Sequence, residues 1–290
     1  MIPTLQSLQD QLIDKFDMDY WNAKARMYAK LLEDKKLRKE ILQRADPEDR
    51  EFLLTELNAT KIHCCETLMR LIIIARFKTT PLIPLMTLKQ REYGSEIEKM
   101  NNNFELYFNG NSEKYFQEYF FPTLQKQVSQ ESATFMKKCV KKFLEELSNN
   151  SVYNVYKHGF YGSVSIQDDA KMTVQRTGEE YKIGHLINSF HLKKEFSKGG
   201  YDHVVIFEDH AIDVMRDRQI IDLATKFISN YYNVIRIGTK KPIKDTLYSF
   251  KNDDDELNSI FKFESFWKKV NMNFPFKMPS AIKKQFKIKT

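Results

Sequence analysis

Three side chains able to do chemistry stand close together in Ser151-Val152-Tyr153-Asn154-Val155-Tyr156-Lys157-His158-Gly159-Phe160-Tyr161. If the stretch is helical, Asn154 and His158 are neighbours on one face at i and i+4, and Gly159 is placed to end the helix. A histidine titrates near neutral pH, so it can take or give a proton. Asn154 can hold the ring or a substrate oxygen, and Lys157 can meet a phosphate. The same residues also serve as ordinary helix-end groups bonded to backbone, and both readings stand at this point.

A second group is spread along an earlier helix. His63, Glu66, Thr67 and Arg70 fall at i, i+3, i+4 and i+7 and so share a face, with the acid four residues ahead of the arginine. The run Leu71-Ile72-Ile73-Ile74-Ala75 that follows is apolar all round, which predicts a central, buried helix. Polar groups there need partners. They form either an internal ion pair beside a bonded histidine or a polar strip facing a cleft or a second subunit.

The elements that must position these groups are mostly helical. Leu5, Leu8, Leu12 and Phe16, then Trp21, Ala25, Tyr28, Leu31 and Leu32, recur at helical spacing, with Asp17-Met18-Asp19 dividing them into two helices. Lys35 to Arg44 predicts a short charged helix with Leu37, Ile41 and Leu42 inward. Asp46 as N-cap with Pro47 at the first position opens a long helix to about Phe77, which Pro81 and Pro84 follow with an extended connector. Leu88 to about Phe108 predicts another helix with Ile97, Met100, Phe104 and Tyr107 inward. Asn109-Gly110-Asn111 is a turn, and the aromatic run Tyr115 to Phe121 predicts core rather than a base-stacking platform. Ser129 or Ser132 is the N-cap of a helix ending near Leu147, whose lysines 137, 138, 141 and 142 form a basic outer stripe.

After residues 151–161 the periodicity changes. Gly162 to Ile166, Lys171 to Gln175, Tyr181 to Phe190 and Val204 to Phe207 read as extended segments, separated by turns at Gln167-Asp168-Asp169 and Thr177-Gly178-Glu179. Asp209 or Asp213 caps a helix to about Tyr232, Val234 to Ile237 is a strand or packed extension, and a last helix lies near Asp255–Lys269. The expected fold is therefore mainly α. A helical bundle over residues 1–160 is followed by a small mixed α/β portion. Within the latter, 161–240 form a small β insertion plus a helix packed on the bundle, and 241–290 form a peripheral C-terminal lobe.

Composition narrows the classes. With 42% hydrophobic and 29% charged residues the 290-residue chain reads as globular. The net charge of +7 is gathered largely in the tail 277–290, with five lysines and no acid, which is not the broad basic face of a dedicated duplex binder. Three cysteines, two of them adjacent, give neither a disulfide framework nor a zinc pattern. Cys64 and Cys65, on a buried helix, read as inert rather than nucleophilic. No signal peptide and no membrane-spanning run is evident, so a cytoplasmic protein with no membrane contact is expected. His203, Glu208, Asp209, His210 and Asp213 fit no zinc template, and neither a P-loop nor a G-x-S-x-G elbow occurs, so no cofactor or metal is expected.

Over residues 50–160, a helical bundle with a polar strip on its central helix and an N-x-x-K-H stretch resembles the HEPN superfamily. The polar position of the HEPN signature falls on Asn154 and its histidine on His158, while the arginine position falls on Tyr153. The resemblance implies a small prokaryotic, cytoplasmic, defence- or toxin-type ribonuclease acting on RNA as a homodimer. Metal-independent RNA cleavage needs a base, an acid and a cation for the charge growing on the phosphate. His158 is the base or acid, Lys157 or Arg70 takes the place of the missing arginine, and Glu66 orients either one. A lysine there lacks the bidentate fork. The expected site is thus His158, Asn154, Lys157, Arg70 and Glu66. The alternative is a non-enzymatic helical interaction protein, with a protein partner, in which the same residues are structural.

Overall fold

The computed structural model describes residues 4–43, 47–75, 87–148, 164–173, 180–194, 203–261 and 272–276, the strands among them by their backbone. The fold is mainly α. In chain order the helices are α1 (Leu5–Lys15), α2 (Tyr20–Glu33), α3 (Lys35–Leu42), α4 (Pro47–Ile74), α5 (Gln90–Asn102), α6 (Phe104–Tyr107), α7 (Ser112–Phe120) and α8 (Lys126–Ser148). Three strands, β1 (Val164–Thr173), β2 (Glu180–Lys194) and β3 (His203–Ile212), precede α9 (Val214–Gly238), α10 (Asp254–Phe261) and β4 (Met272–Phe276). Among the described residues no helix is long and apolar enough to cross a membrane.

The chain forms two compact units, each assembled from separate stretches. The first comprises residues 1–33, 59–149 and 215–262, and the second comprises 34–58, 150–214 and 263–290.

In the first unit the apolar stretch of α4 is buried as its composition dictates, with Leu68, Met69, Leu71, Ile72 and Ile74 fully enclosed. Ile220, Ile221, Ala224, Phe227 and Ile228 of α9 and Phe135, Met136, Val140 and Phe143 of α8 are likewise buried. The aromatic run behaves as core. Phe116, Phe120 and Phe121 are excluded from solvent, and their rings meet Phe108, Tyr231 and Phe227. Asn109 and Gly110 turn the chain with positive φ of 56° and 78°, and Asn111 then caps α7 by accepting from the Lys114 amide.

Several boundaries differ from the sequence expectation, each for a local reason. The helix expected over Leu88–Phe108 is split, because Asn103 takes extended dihedrals and caps α6 through its side chain. Neither Ser129 nor Ser132 is an N-cap: α8 already starts at Lys126, and both hydroxyls bond across to other segments. Val234 to Ile237 is the last turn of α9, not a strand. Tyr231, Tyr232 and Ile235 keep a helical burial period there, so packing overrides the β preference of the branched residues.

The second unit holds α3, the first turns of α4 and the sheet. Asp34 caps α3 by accepting from the Leu37 amide. Ile41 is 55% exposed rather than inward, because α3 has eight residues and buries none of them. The strands form an antiparallel meander in the order β1-β2-β3-β4. Gln167-Asp168-Asp169 lies inside β1 and not at a turn. The register shifts between Gln167 and Ala170, so the polar residues mark a bulge in a continuing strand. Asp209 is consequently a β3 residue and not a helix cap. Pro275 sits on β4, at the sheet edge, where a missing amide is tolerated. The expected cap Asp46, the Pro81–Pro84 connector, the Thr177-Gly178-Glu179 turn and the basic tail lie outside the described residues.

Candidate functional site

Of the five residues expected to form a site, Asn154, Lys157 and His158 lie outside the described residues. Glu66 and Arg70 are described, and α4 brings them together as its helical spacing requires. Arg70 Nη2 donates to Glu66 Oε1 at 3.1 Å and to Gln90 Oε1 at 2.6 Å, while Nη1 donates to the Leu88 carbonyl at 3.1 Å. Its guanidinium plane lies 4.3 Å from the ring centroid of Tyr93. The Arg70 side chain is only 18% exposed. The arginine thus ties α4 to the start of α5, and three of its five N–H donors and one face of the guanidinium are taken up within the fold. Burial pushes the Tyr93 hydroxyl far above its ordinary pKa, so it is no proton acceptor at neutral pH. His63 is exposed on the outer side of α4, and its carbonyl accepts from the Thr67 hydroxyl.

The basic stripe on α8 is compensated by neighbouring acids. Lys137 bridges Glu105 and Glu113 at 2.9 and 3.2 Å, Lys142 pairs with Glu145 at 2.9 Å, and Lys138 pairs with Asp254. Lys141 lies 5.1 Å over the Phe104 ring. Little free positive potential is left on that face for a polyanion.

A concentration of buried charge among the described residues was not singled out in the sequence. Lys61 of α4 contacts Glu146 of α8 and Asp217 of α9, each at 2.9 Å, with side-chain exposures of 5%, 8% and 1%. Arg216 pairs with the same Glu146, which closes a charge-balanced tetrad. Burial pushes the Lys61 ammonium down, but the Asp217 and Glu146 carboxylates outweigh it, so its pKa lies above the ordinary lysine value. Asp217 also sits in the first turn of α9, where the helix dipole favours an acid. Its Oδ2 has no hydrogen-bond partner among the described residues. The only local sign of this site is a lone lysine among Leu57, Cys64, Cys65 and Leu68 on an apolar helix face.

All three thiols are buried, Cys64 and Cys65 of them about one turn from Lys61 on α4. Cys64 Sγ donates to the Ile221 carbonyl at 3.7 Å, and burial pushes its pKa up to about 12. Cys65 and Cys139 are pushed well above the ordinary thiol value, again by burial. Such thiols are poor nucleophiles, as their place on buried helices predicts.

No protein-family model matches the chain, and neither curated proteins nor solved structures give a match. The resemblance to HEPN proteins rests on residues of the sequence alone.

Proposed function

We propose that the chain is a non-enzymatic helical interaction protein in which Glu66 and Arg70 serve the fold. One observation carries this reading: the Arg70 guanidinium is shared among Glu66, Gln90 and the Leu88 carbonyl, with its face against Tyr93. RNA cleavage without a metal needs a cation free to face the scissile phosphate. Tyr153 stands where the HEPN signature has arginine, and the described substitute is already engaged. The compensated lysines of α8 argue the same way. On this reading the protein works in the cytoplasm, where its three thiols stay reduced, and its partner is another protein.

The test is incubation of the full chain with a mixed tRNA and mRNA pool in EDTA, beside His158→Ala and Arg70→Ala. No cleavage by any of the three is expected. Cleavage by the wild type that leaves 2′,3′-cyclic phosphate ends and disappears in His158→Ala would overturn the proposal. It would restore a homodimeric HEPN-like ribonuclease built on Asn154, Lys157 and His158.

A further inference from the structure

Residues 241–250 contain no helix or strand, yet they are held at five points by side chains that grip their main chain. Asn230 of α9 makes a two-point bond to Tyr248: its Nδ2 donates to the carbonyl and its Oδ1 accepts from the amide, both at 2.8 Å. One helical turn on, Asn233 Nδ2 donates to the Asp245 carbonyl at 3.3 Å and its Oδ1 accepts from the Lys244 amide at 3.2 Å. The Ser132 hydroxyl of α8 donates to the Phe250 carbonyl at 3.2 Å and accepts from its amide at 2.9 Å. Arg236 Nε donates to the Pro242 carbonyl at 2.7 Å.

These four gripping residues are buried, whereas residues 242–246 of the segment are exposed. The segment therefore satisfies polar groups inside a groove while placing little of itself in the core. The Phe250 ring enters an aromatic pocket, stacked on Phe135 at 5.6 Å and 12°, tilted against Phe227 at 4.7 Å and edge-on to Phe121 at 6.1 Å. Left empty, the groove would orphan two buried amides and a hydroxyl, at about 1–3 kcal/mol for each group. It must be filled. The side chains of Lys241, Lys244 and Asp245 add bonds to Asp14, the Phe16 carbonyl and the Ser229 hydroxyl at the exposed start of the segment, whereas at its 248–250 end the grip is on the main chain and one aromatic ring.

We propose that the α8–α9 groove is a binding site for an extended peptide with an aromatic anchor, and that residues 241–250 occupy it as an exchangeable internal ligand. Asn230, Asn233 and Ser132 read the backbone of either occupant, and the pocket of Phe135 and Phe227 reads the anchor. The proposal rests on the interaction-protein reading and gives the chemistry of the partner, a peptide segment of another protein.

The experiment is a fluorescence-polarisation titration of the full chain with a labelled synthetic peptide covering residues 241–251. Wild type, Phe250→Ala and Phe250→Ala combined with Asn230→Ala are compared, with a scrambled peptide as control and circular dichroism to check folding. If Phe250→Ala does not fold, Phe250→Leu replaces it, since it keeps apolar volume while loosening the stack. Loosening the internal ligand is expected to tighten peptide binding by about tenfold or more over wild type. Adding Asn230→Ala is expected to abolish that gain. A folded Phe250 variant that binds the peptide no better than wild type, or no better than the scrambled sequence, overturns the proposal. RNA cleavage in the EDTA assay would instead overturn the interaction-protein reading, and it leaves the outcome of this titration untouched.

Discussion

Replacing Lys61 with methionine keeps the length of the stem and removes the only ammonium of the buried tetrad. In the folded chain that ammonium lies 2.9 Å from both Glu146 and Asp217. At that distance each contact is an attraction of about 6 kcal/mol for an effective dielectric of about 20, offset by a desolvation penalty of several kcal/mol per ion. The net value of the intact cluster is therefore small, but breaking it is not symmetrical. Without Lys61, Asp217, 1% exposed, loses the ammonium paired with it, while Arg216 still serves Glu146. We expect Lys61→Met to lose about 3–5 kcal/mol, as is usual for a buried pair deprived of one member. Lys61→Met with Asp217→Leu removes one charge of each sign and leaves Arg216–Glu146 balanced, so it is expected to lose less than the single variant. Urea unfolding followed by the fluorescence of buried Trp21, in a Trp267→Phe background, reads the unit directly. A single-variant loss below about 1 kcal/mol, or a double variant less stable than the single one, would refute the argument. The sign with pH is also fixed. The folded pKa of Lys61 is raised, so its contribution is fully present below the ordinary value of 10.5 and is lost as pH rises through the folded value.

Three further outcomes are expected. Arg70→Lys loses the stack on Tyr93 and the fork to Glu66 and Gln90, and should destabilise the attachment of α5 by about 1–2 kcal/mol; faster hydrogen exchange in residues 93–97, the first amides bonded within the helix, measures it, and unchanged protection would count against a structural Arg70. Ellman's reagent at pH 8 should find no reactive thiol in the folded chain and three after denaturation, because Cys64, Cys65 and Cys139 are all buried with raised pKa values. Burial raises the Glu105 carboxyl, but the hydrogen bonds from Lys137 and Ser112 outweigh it and hold the pKa below 4.5. Its contribution to stability is present above that value and fades as pH falls through the folded one. A carboxyl NMR titration should show Glu105 moving upward in Lys137→Met, and an unmoved midpoint would refute the assignment.

Periodicity made the helical part legible because it is a local property. The breaks at Asp17–Asp19, the buried end of α4 and the aromatic core of α7 all follow from spacing that the neighbouring residues enforce. What stayed hidden depends on partners far along the chain. Ser129 and Ser132 resemble caps by type, and only the positions of Phe121 and Phe250 turn them into cross-links. Val234 to Ile237 resembles a strand until Tyr231, Tyr232 and Ile235 find a core to enter. Glu66–Arg70 was readable as an i,i+4 pair, whereas Gln90 and Tyr93, which complete the arginine's surroundings, were not. The tetrad is the extreme case, since Lys61, Glu146 and Asp217 come from three helices and meet only when these pack.

The first unit closes only when its last stretch is present, and this sets an order on synthesis. The buried faces of α4 and α8 leave the ribosome well before α9, which must cover them, because residues 150–214 are made in between. At roughly 5–20 residues per second that interval lasts about 3–13 s. During it Cys64 lacks the Ile221 carbonyl and the Thr225 hydroxyl, and Phe143 lacks the Phe227 ring, that they meet in the finished protein. The nascent chain is thus most vulnerable to sticking in mid-translation, and slowing elongation across codons 150–214 should lower the soluble yield more than slowing it after codon 262.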